Sequence, residues 1–464
     1  MIQIVRLRQS CTSLEESRLT GSVVQNIQGN LVLALAELLS NSGSSHWMYA
    51  GIAIRMAQIM RLNKEYQQKH DIQEQEMRRR TFWACLLMDR SLAYILNKPR
   101  TLSLANVDIA LPLPDVSIAW QEQRKGHTLA SLSSFNGYPS EIGIVPYFIK
   151  SVCLWSDMAD QNICHRRLTD NRSPLDPMSD ISRACEALQT ESLSLPMHLQ
   201  WSEKNYLIHR DLGQGRMFVS LHALLHSAQC IGYQCYLPQL DGCSLLRDHV
   251  DGAGLSLLHR EPSLISICVT NAMALYDVVT LILSKEDADD ANSLETTWFA
   301  FAALPAANIC LWLQYAGDKE FGDQHTIEKA KQFLETIKSL LTSLSGQWRI
   351  AHEWLATLKT MEATYRAAYL GEVPQESEIA EMLPDSGEWA SPRGYRPRPG
   401  DGCPPVDWRQ NLYLALRMIT TESTLEELGS VWMYLAGGWC EDLPESLVSS
   451  VGMGSREVDL SWDC

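Results

Sequence analysis

Residues 71–99 read DIQEQEMRRRTFWACLLMDRSLAYILNKP. Asp71, followed by Glu74 three positions later, is a start signal for a helix, because its carboxylate can accept hydrogen bonds from free N–H groups of the first turn. The predicted helix runs to about Leu96 and is apolar on nearly every face, and a helix without a polar face is buried. The sequence therefore predicts a core helix that ends before Pro99.

Charged residues on this helix need partners. The run Arg78-Arg79-Arg80 spreads over about 200° of the helix circumference, so its three guanidinium groups cannot share one partner. Glu74 and Glu76 lie about one turn earlier, and we expect a salt bridge to at least one arginine. The run is short for a nuclear import signal, and no extended basic sequence surrounds it that would favour a DNA contact.

A second charge lies deeper in the predicted core. Asp89 is on the buried helix, and Arg55 is on a preceding helix that is otherwise small and apolar. Buried charges are costly unless they are paired. We predict that the Asp89 carboxylate accepts hydrogen bonds from Arg55 or from a neighbouring arginine such as Arg90. Loss of that carboxylate should then unfold the domain.

Two helices are predicted before residue 71. Apolar residues at helical spacing mark the first from about Ile27 to Leu39, and the residues after Asn41 break it. We expect the apolar stripe of the second helix to face the core. That stripe consists of Met48, Ile52, Met56, Ile59 and Leu62. The other faces carry small residues that let neighbouring helices approach closely, namely Ala50, Gly51, Ala53 and Ala57.

Helical periodicity continues through the rest of the chain. Helices are predicted at 145–162, 215–234, 264–285 and 294–316, with an amphipathic pair on either side of Gly346. The uncharged stretch 296–316 is long enough to span a membrane, but it contains Pro305, Asn308 and Gln314, which favours a buried core helix. We find no alternating strand pattern and no internal repeat, so the predicted fold class is all-α.

Composition excludes several classes of protein. With 464 residues, 45% hydrophobic and 20% charged, the chain can bury a large core, which excludes a disordered or fibrous protein. A formal charge of −16 repels phosphate and excludes a protein that coats DNA, although a basic module attached elsewhere is not excluded. The thirteen cysteines are irregularly spaced, never three positions apart, which excludes zinc ribbons within this chain and suits a reducing compartment.

Enzyme motifs are also missing, and we predict no catalytic, cofactor-binding or metal-binding residue. His222, His226 and Cys230 recur at helical spacing and could hold a metal, but no further ligand is visible, so we interpret them as core or interface residues. The acidic stretch 286–290 invites comparison with terpene cyclases, but Ser293 replaces the expected third carboxylate. The alternative hypothesis, an all-α biosynthetic enzyme, would depend on Asp89, His222, His226 or Asp289.

Five separate blocks carry a family resemblance. They are Trp47 with 52–58 (IAIRMAQ), Glu76 to Trp83, Asp89-Arg90, Lys98-Pro99 and 107–112 (VDIALP). Over roughly Val24–Leu113 their order and spacing resemble the middle homology region of fungal-specific transcription factors. The resemblance marks nine positions as a structural signature: Arg55, Arg78, Arg79, Arg80, Trp83, Asp89, Arg90, Pro99 and Pro112. Two departures stand out: Arg61-Leu62-Asn63 replaces the usual Gly-Leu-His, and Asn97-Lys98-Pro99 replaces Gly-Arg-Pro.

The resemblance implies a nuclear regulator of one gene set, often that of a nutrient-use or secondary-metabolite pathway. Its implied partners are a second copy or a related regulator, a coactivator, and DNA reached indirectly or through another module, with no membrane. The family's DNA-binding module holds zinc with six closely spaced cysteines, whereas only Cys11 precedes Cys85 here. We therefore expect either a truncated gene model or a protein that acts without its own DNA-binding module, and no cofactor in this chain.

The predicted domain organisation follows from composition. We expect a truncated or disordered N-terminus at 1–23, the regulatory domain at 24–370, a Pro/Gly-rich linker at 371–409, a helical segment at 410–439 and an acidic tail at 440–464. The tail has six acidic residues against one base and carries interspersed Leu, Val and Trp. This composition is typical of an activation segment that binds coactivator grooves, and it equally fits an ordinary solvated terminus.

Overall fold

The computed structural model describes residues 24–39, 45–65, 70–96, 98–114, 117, 126–132, 142–162, 172–234, 237, 262–285, 293–294, 296–315, 322–345 and 349–370. Within these ranges the chain forms twelve α-helices and no strand, which confirms the all-α prediction. The helices are α1 (Val24–Leu39), α2 (Ser45–Ile59), α3 (Ile72–Leu96), α4 (Leu129–Leu132), α5 (Val145–Asn162), α6 (Asp180–Ser194), α7 (Glu203–Asp211), α8 (Gly215–Tyr233), α9 (Pro262–Lys285), α10 (Thr297–Tyr315), α11 (Gln324–Ser345) and α12 (Arg349–Leu370).

Two helices organise the core. α8 packs against α5, α9 and α10, and α10 in turn packs against α11 and α12, while α3 packs against α5. Bulky aromatic side chains fill the space between them. Trp155 on α5 and Trp298 on α10 form a T-shaped pair with ring centroids 6.1 Å apart, and the ring centroids of Tyr94 on α3 and Trp155 are 4.8 Å apart. These contacts join α3, α5 and α10 into one core.

The helix boundaries follow local signals in the sequence. The Asp71 side chain accepts a hydrogen bond from the Glu74 N–H at 2.7 Å, which confirms the predicted start of α3. The apolar pattern does not predict α6 and α7, yet each has a serine at its N-cap. Ser179 accepts from the Ser182 N–H at 3.2 Å, and Ser202 accepts from the Asn205 N–H at 3.1 Å.

The apolar stretch near residue 300 is a core helix, as predicted. Trp298, Leu304 and Ile309 of α10 are almost completely buried. Among the described residues one helix, α9, is long and apolar enough to cross a membrane by length and composition, and less than half of that window is buried. Buried residues of α9, such as Leu264 and Cys268, pack into the hydrophobic core.

The apolar stripe of α2 does not face the core as expected, whereas the expectation that its small residues let neighbouring helices approach is confirmed. Met48, Ile52 and Ile59 are 61%, 44% and 73% exposed, so most of the predicted core stripe faces solvent. The buried face is instead the one with small residues, including Ala53 and Ala57, and it packs against α1 and α3. Alanines on the contact face allow neighbouring helices to approach closely, and the large side chains of the other face then point to solvent.

Four of the predicted segments lie outside the described residues. They are the N-terminus at 1–23, the linker at 371–409, the helical segment at 410–439 and the acidic tail at 440–464. The acidic stretch 286–290, including Asp289, also lies outside them.

Candidate functional site

Four of the signature residues hold a largely extended segment, residues 98–114, which we call the strap; they are Arg80, Trp83, Asp89 and Arg90. The strap leaves the C-terminal end of α3 and returns along the same helix in the opposite direction. Thr101 and Leu102 lie at Asp89, and Leu113 lies at Glu76. An extended segment has backbone N–H and C=O groups without partners of its own, and buried ones must be satisfied. Side chains of α3 supply several of those partners.

Asp89 and Arg90 form the first clamp on the strap. The Asp89 carboxylate accepts from Arg90 Nη1 at 2.6 Å, from the Thr101 N–H at 2.9 Å and from the Leu102 N–H at 3.0 Å. Arg90 Nη2 donates to the Leu102 carbonyl at 2.7 Å. Both side chains are about 98–99% buried. Burial lowers the pKa of Arg90, and the Asp89 charge opposes that shift.

Of the two partners predicted for Asp89, Arg90 is confirmed and Arg55 is wrong. Arg55 is exposed on α2 and its Nη1 donates to Gln58 Oε1 at 2.9 Å. The difference follows from the rotation of α2, which turns Arg55 to solvent along with the large apolar side chains.

Glu76 and Arg80, near the N-terminal end of α3, form the second clamp. Glu76 Oε1 accepts from Arg80 Nε at 2.7 Å and from the Leu113 N–H at 3.0 Å. Arg80 Nη2 donates to the Leu113 carbonyl at 2.9 Å, so both backbone groups of Leu113 are held. Trp83 Nε1 donates to the Ala110 carbonyl at 2.8 Å. Asp89 with Arg90 and Glu76 with Arg80 therefore repeat one arrangement at two points of the strap.

Arg79 links the second clamp to the loop after α2. Its Nη2 and Nε donate to the two carboxylate oxygens of Glu65 at 2.9 and 3.1 Å, and its Nη1 lies 3.3 Å from Glu76 Oε2. Glu65 also accepts from the Ala110 N–H at 3.2 Å. Burial lowers the pKa of Arg79, but the hydrogen bonds and charges of Glu65 and Glu76 outweigh it and raise the pKa above its usual value.

The remaining signature residues have lesser contacts. Arg78 lies 3.6 Å from Glu74 and donates to the Met60 carbonyl at 3.3 Å, so the predicted one-turn pairing in this run is confirmed. Pro99 is exposed, whereas Pro112 is buried in the strap.

The sequence pattern does not predict two of the partners in this site. Glu65 precedes α3 and shows no helical spacing to Arg79. Arg100, on the strap, pairs with Asp157 and Asp160 of α5. In both contacts the partners are far apart in the sequence. The sequence shows the charged residues but does not identify which of them pair.

The charges in this site balance one another. Glu65 and Glu76 face Arg79 and Arg80, and Asp89 faces Arg90. Each of these guanidinium groups is at least 96% buried and is engaged by a carboxylate, so it is not presented to a phosphate or an acidic substrate. The arrangement holds the strap on α3.

The histidines of α8 are held by hydrogen bonds within the core. His222 Nε2 donates to the Leu199 carbonyl at 2.9 Å, and His226 Nδ1 lies 2.9 Å from Asn271 Oδ1. Burial, reinforced by the neighbouring His226, lowers the pKa of His222 to about 3. Burial raises the pKa of the Cys230 thiol. In the described part of the chain, no three His, Cys, Asp or Glu side chains are grouped so that they could hold a metal ion.

Comparison with known proteins gives one family. The model of the fungal specific transcription factor domain matches residues 5–215, which include both clamps and the strap. No solved structure matches the chain.

Among curated proteins, the chain is similar to an uncharacterized transcriptional regulatory protein of Schizosaccharomyces pombe, with 24% identity over 389 residues, 78% of this chain and 55% of the relative. A second such S. pombe protein is 30% identical over 230 residues, covering 42% of this chain and 23% of the relative. A Zn(2)-C6 fungal-type transcription factor of Fusarium oxysporum f. sp. lycopersici is 23% identical over 220 residues, again 42% of this chain and 23% of the relative. The chain thus spans about half the length of these relatives or less.

Proposed function

We infer that this chain, whose residues 5–215 belong to the fungal specific transcription factor domain family, regulates transcription in a fungus. We propose further that it acts in the nucleus on one gene set, such as that of a secondary-metabolite biosynthetic pathway. In this proposal the helical domain acts through contacts with other proteins, including a second copy or a related regulator. It reaches DNA through such partners or through a separate module.

One observation supports a regulatory function over an enzymatic one. The charged residues that would be candidates for chemistry, Asp89 above all, are engaged in holding the strap on α3. The histidines on α8 are likewise held by a backbone carbonyl and an asparagine. The side chains that could serve an active site thus stabilise the fold instead. This is what we expect of a domain that functions by presenting surfaces to partners.

Deletion of the gene followed by a transcript survey tests this proposal. Coordinated loss or gain of one set of transcripts in the deletion strain is the expected result, and its sign tells activator from repressor. Reintroduction of the wild-type gene should restore the pattern, whereas the destabilised Asp89→Ala variant should restore it less completely. A strain that loses one metabolite while its transcripts stay unchanged would overturn the proposal in favour of a biosynthetic enzyme.

A further inference from the structure

The outer face of α2 is an apolar surface without a partner in the described part of the chain. Met48, Ile52, Arg55 and Ile59 lie within about 60° of one another around the helix, at 100° per residue. All four are exposed, the three apolar side chains by 61%, 44% and 73% for Met48, Ile52 and Ile59. We call these four residues the α2 face. Isolated exposed apolar residues are ordinary, but a row along one helix is typical of an interaction site.

The α2 face also has a charge preference. Arg55 lies in the middle of the row, and α2 contains no aspartate or glutamate. Arg61 is exposed just after the C-terminal end of α2 and adds a second positive charge near Ile59. In a chain with a formal charge of −16, a surface that is apolar and positive is unusual. It complements a segment that combines acidic and apolar side chains.

The chain itself contains a segment of that chemistry. Residues 440–464 carry six acidic side chains against the single base Arg456. Apolar residues are interspersed among the acidic ones, for example Val458, Leu460 and Trp462 beside Asp459. This segment offers carboxylates for Arg55 and apolar side chains for the row of Met48, Ile52 and Ile59.

The tether between them is long enough. Sixty-nine residues, 371–439, separate the end of α12 from this segment. Even as a continuous helix at 1.5 Å per residue they would reach about 100 Å. A domain of about 350 residues measures about 50 Å across. The segment can therefore reach any part of the domain surface.

The size of the α2 face favours a tethered segment over a second copy of the chain. Three apolar side chains on one helix cover much less than the roughly 800 Å² that each partner buries in a standard stable interface. Two copies paired through the same face would also bring Arg55 against its own counterpart. A tethered segment has an effective concentration of up to about millimolar, so a small face is enough to hold it.

We propose that the acidic segment 440–464 docks on the α2 face of its own chain, with its carboxylates at Arg55 and its apolar side chains on Met48, Ile52 and Ile59. The proposal concerns an intramolecular contact and is independent of the function proposed above.

Site-specific photo-crosslinking in the full-length chain tests this proposal. A benzophenone amino acid replaces Ile52, and a matched variant carries it at Leu193, an 83% exposed position on α6. After irradiation and digestion, mass spectrometry identifies the crosslinked peptides. We expect peptides from 440–464 to crosslink to position 52 and not to position 193. A mixture of isotope-labelled and unlabelled chains separates crosslinks within one chain from those between two copies.

Charge variants make the test sharper. Arg55→Glu should lower the crosslinking yield at position 52 about threefold, since it replaces an exposed attraction by a repulsion. Arg183→Glu, an exposed change on α6, should leave the yield unchanged. All these positions are exposed, and unchanged thermal unfolding verifies that the variants fold. Equal crosslinking of the tail at positions 52 and 193, or crosslinks from position 52 only to a second copy, would overturn the proposal.

Discussion

The carboxylate of Asp89 lies 2.6 Å from the guanidinium group of Arg90, and the two side chains hold opposite backbone groups of Leu102. Asp89 accepts the N–H of that residue, and Arg90 donates to its C=O. The ion pair therefore does more than neutralise two buried charges, because it replaces the water that an extended backbone would otherwise need.

Replacing Asp89 by alanine should destabilise the domain by about 3–5 kcal/mol, because Arg90 would remain buried without its counter-charge. Two backbone N–H groups of the strap would also lose their acceptor. Denaturant unfolding followed by circular dichroism measures the change. Arg55→Ala is the control, since its side chain is exposed, and it should stay within about 0.5 kcal/mol of wild type. A soluble Asp89→Ala protein with an unchanged midpoint would contradict the clamp.

Glu76 and Glu74 provide a matched pair on one helix. Glu76→Gln should cost about 2–4 kcal/mol, because Glu76 is buried and accepts from Arg79, Arg80 and the Leu113 N–H. Glu74→Gln should cost less than about 1 kcal/mol, since its 3.6 Å contact with Arg78 is partly exposed. The denaturation midpoints of both variants measure these changes. Equal losses of stability would contradict a stabilising role for the buried second clamp.

Arg61 is expected to be a strained position. Its φ of +50° lies in the left-handed region, which glycine adopts without steric cost. This is the position at which the resemblance leads one to expect glycine. Arg61→Gly should therefore raise stability by up to about 1 kcal/mol, whereas Arg61→Ala, which keeps a Cβ atom, should not. Thermal unfolding compares the two variants with the wild type. A melting temperature of the glycine variant below that of the wild type would contradict a strained backbone at Arg61.

Two glycines should respond in opposite ways to alanine. A Cβ at Gly126 would lie 2.3 Å from the Ala110 Cβ of the strap, so Gly126→Ala should cost about 1–3 kcal/mol. A Cβ at Gly51 would meet nothing within 4 Å, and alanine in a helix is favoured over glycine by about 0.5–1 kcal/mol. Gly51→Ala should therefore stabilise the protein. Thermal unfolding of both variants tests whether the strap packs as closely as the structure indicates.

Acid should destabilise the domain through His46 and His222. Burial lowers the pKa of His46 to about 4 and that of His222 to about 3. As pH falls below about 6.5, the unfolded chain takes up protons that the folded chain does not, so stability present above pH 6.5 is lost progressively down to about pH 4 and 3. At pH 5 the loss is roughly 2 kcal/mol for each histidine.

His46→Leu separates the two contributions. Neither ring nitrogen of His46 has a hydrogen-bond partner within the described structure, so leucine removes a cost and adds none. The variant should show a shallower loss of stability between about pH 6.5 and 5 than wild type. His352→Leu, at an exposed position, serves as the control. An identical pH dependence of wild type and His46→Leu would exclude His46 from the effect.

Much of the fold can be predicted from the sequence because its signals are local. The Asp71 cap, the apolar surface of α3 and the boundaries of α5 follow from residues within a few turns of each other. The pairing of Asp89 with Arg90 is also within reach, because the two residues are adjacent. In each case, the residue types and their spacing are sufficient.

The features that the sequence did not predict have a common physical origin. The orientation of α2 depends on how closely α1 and α3 can approach Ala53 and Ala57, and periodicity cannot reveal such a distance. Glu65 reaches Arg79 across a loop, 14 positions away in sequence. Arg100 likewise meets Asp157 and Asp160 on a helix about 60 positions later. Tertiary packing determines these contacts, so a charged residue alone predicts that a partner exists without identifying it.

The course of the strap has a consequence for how the domain opens. Glu65 precedes α3 and Leu113 follows it, yet both meet the arginines at the start of that helix. The loop, the helix and the returning segment can therefore exchange their amide protons only together, as a single cooperative unit. In hydrogen exchange, the amides of Ala110 and Leu113 should show the same opening free energy as those in the middle of α3, although they belong to no regular secondary structure.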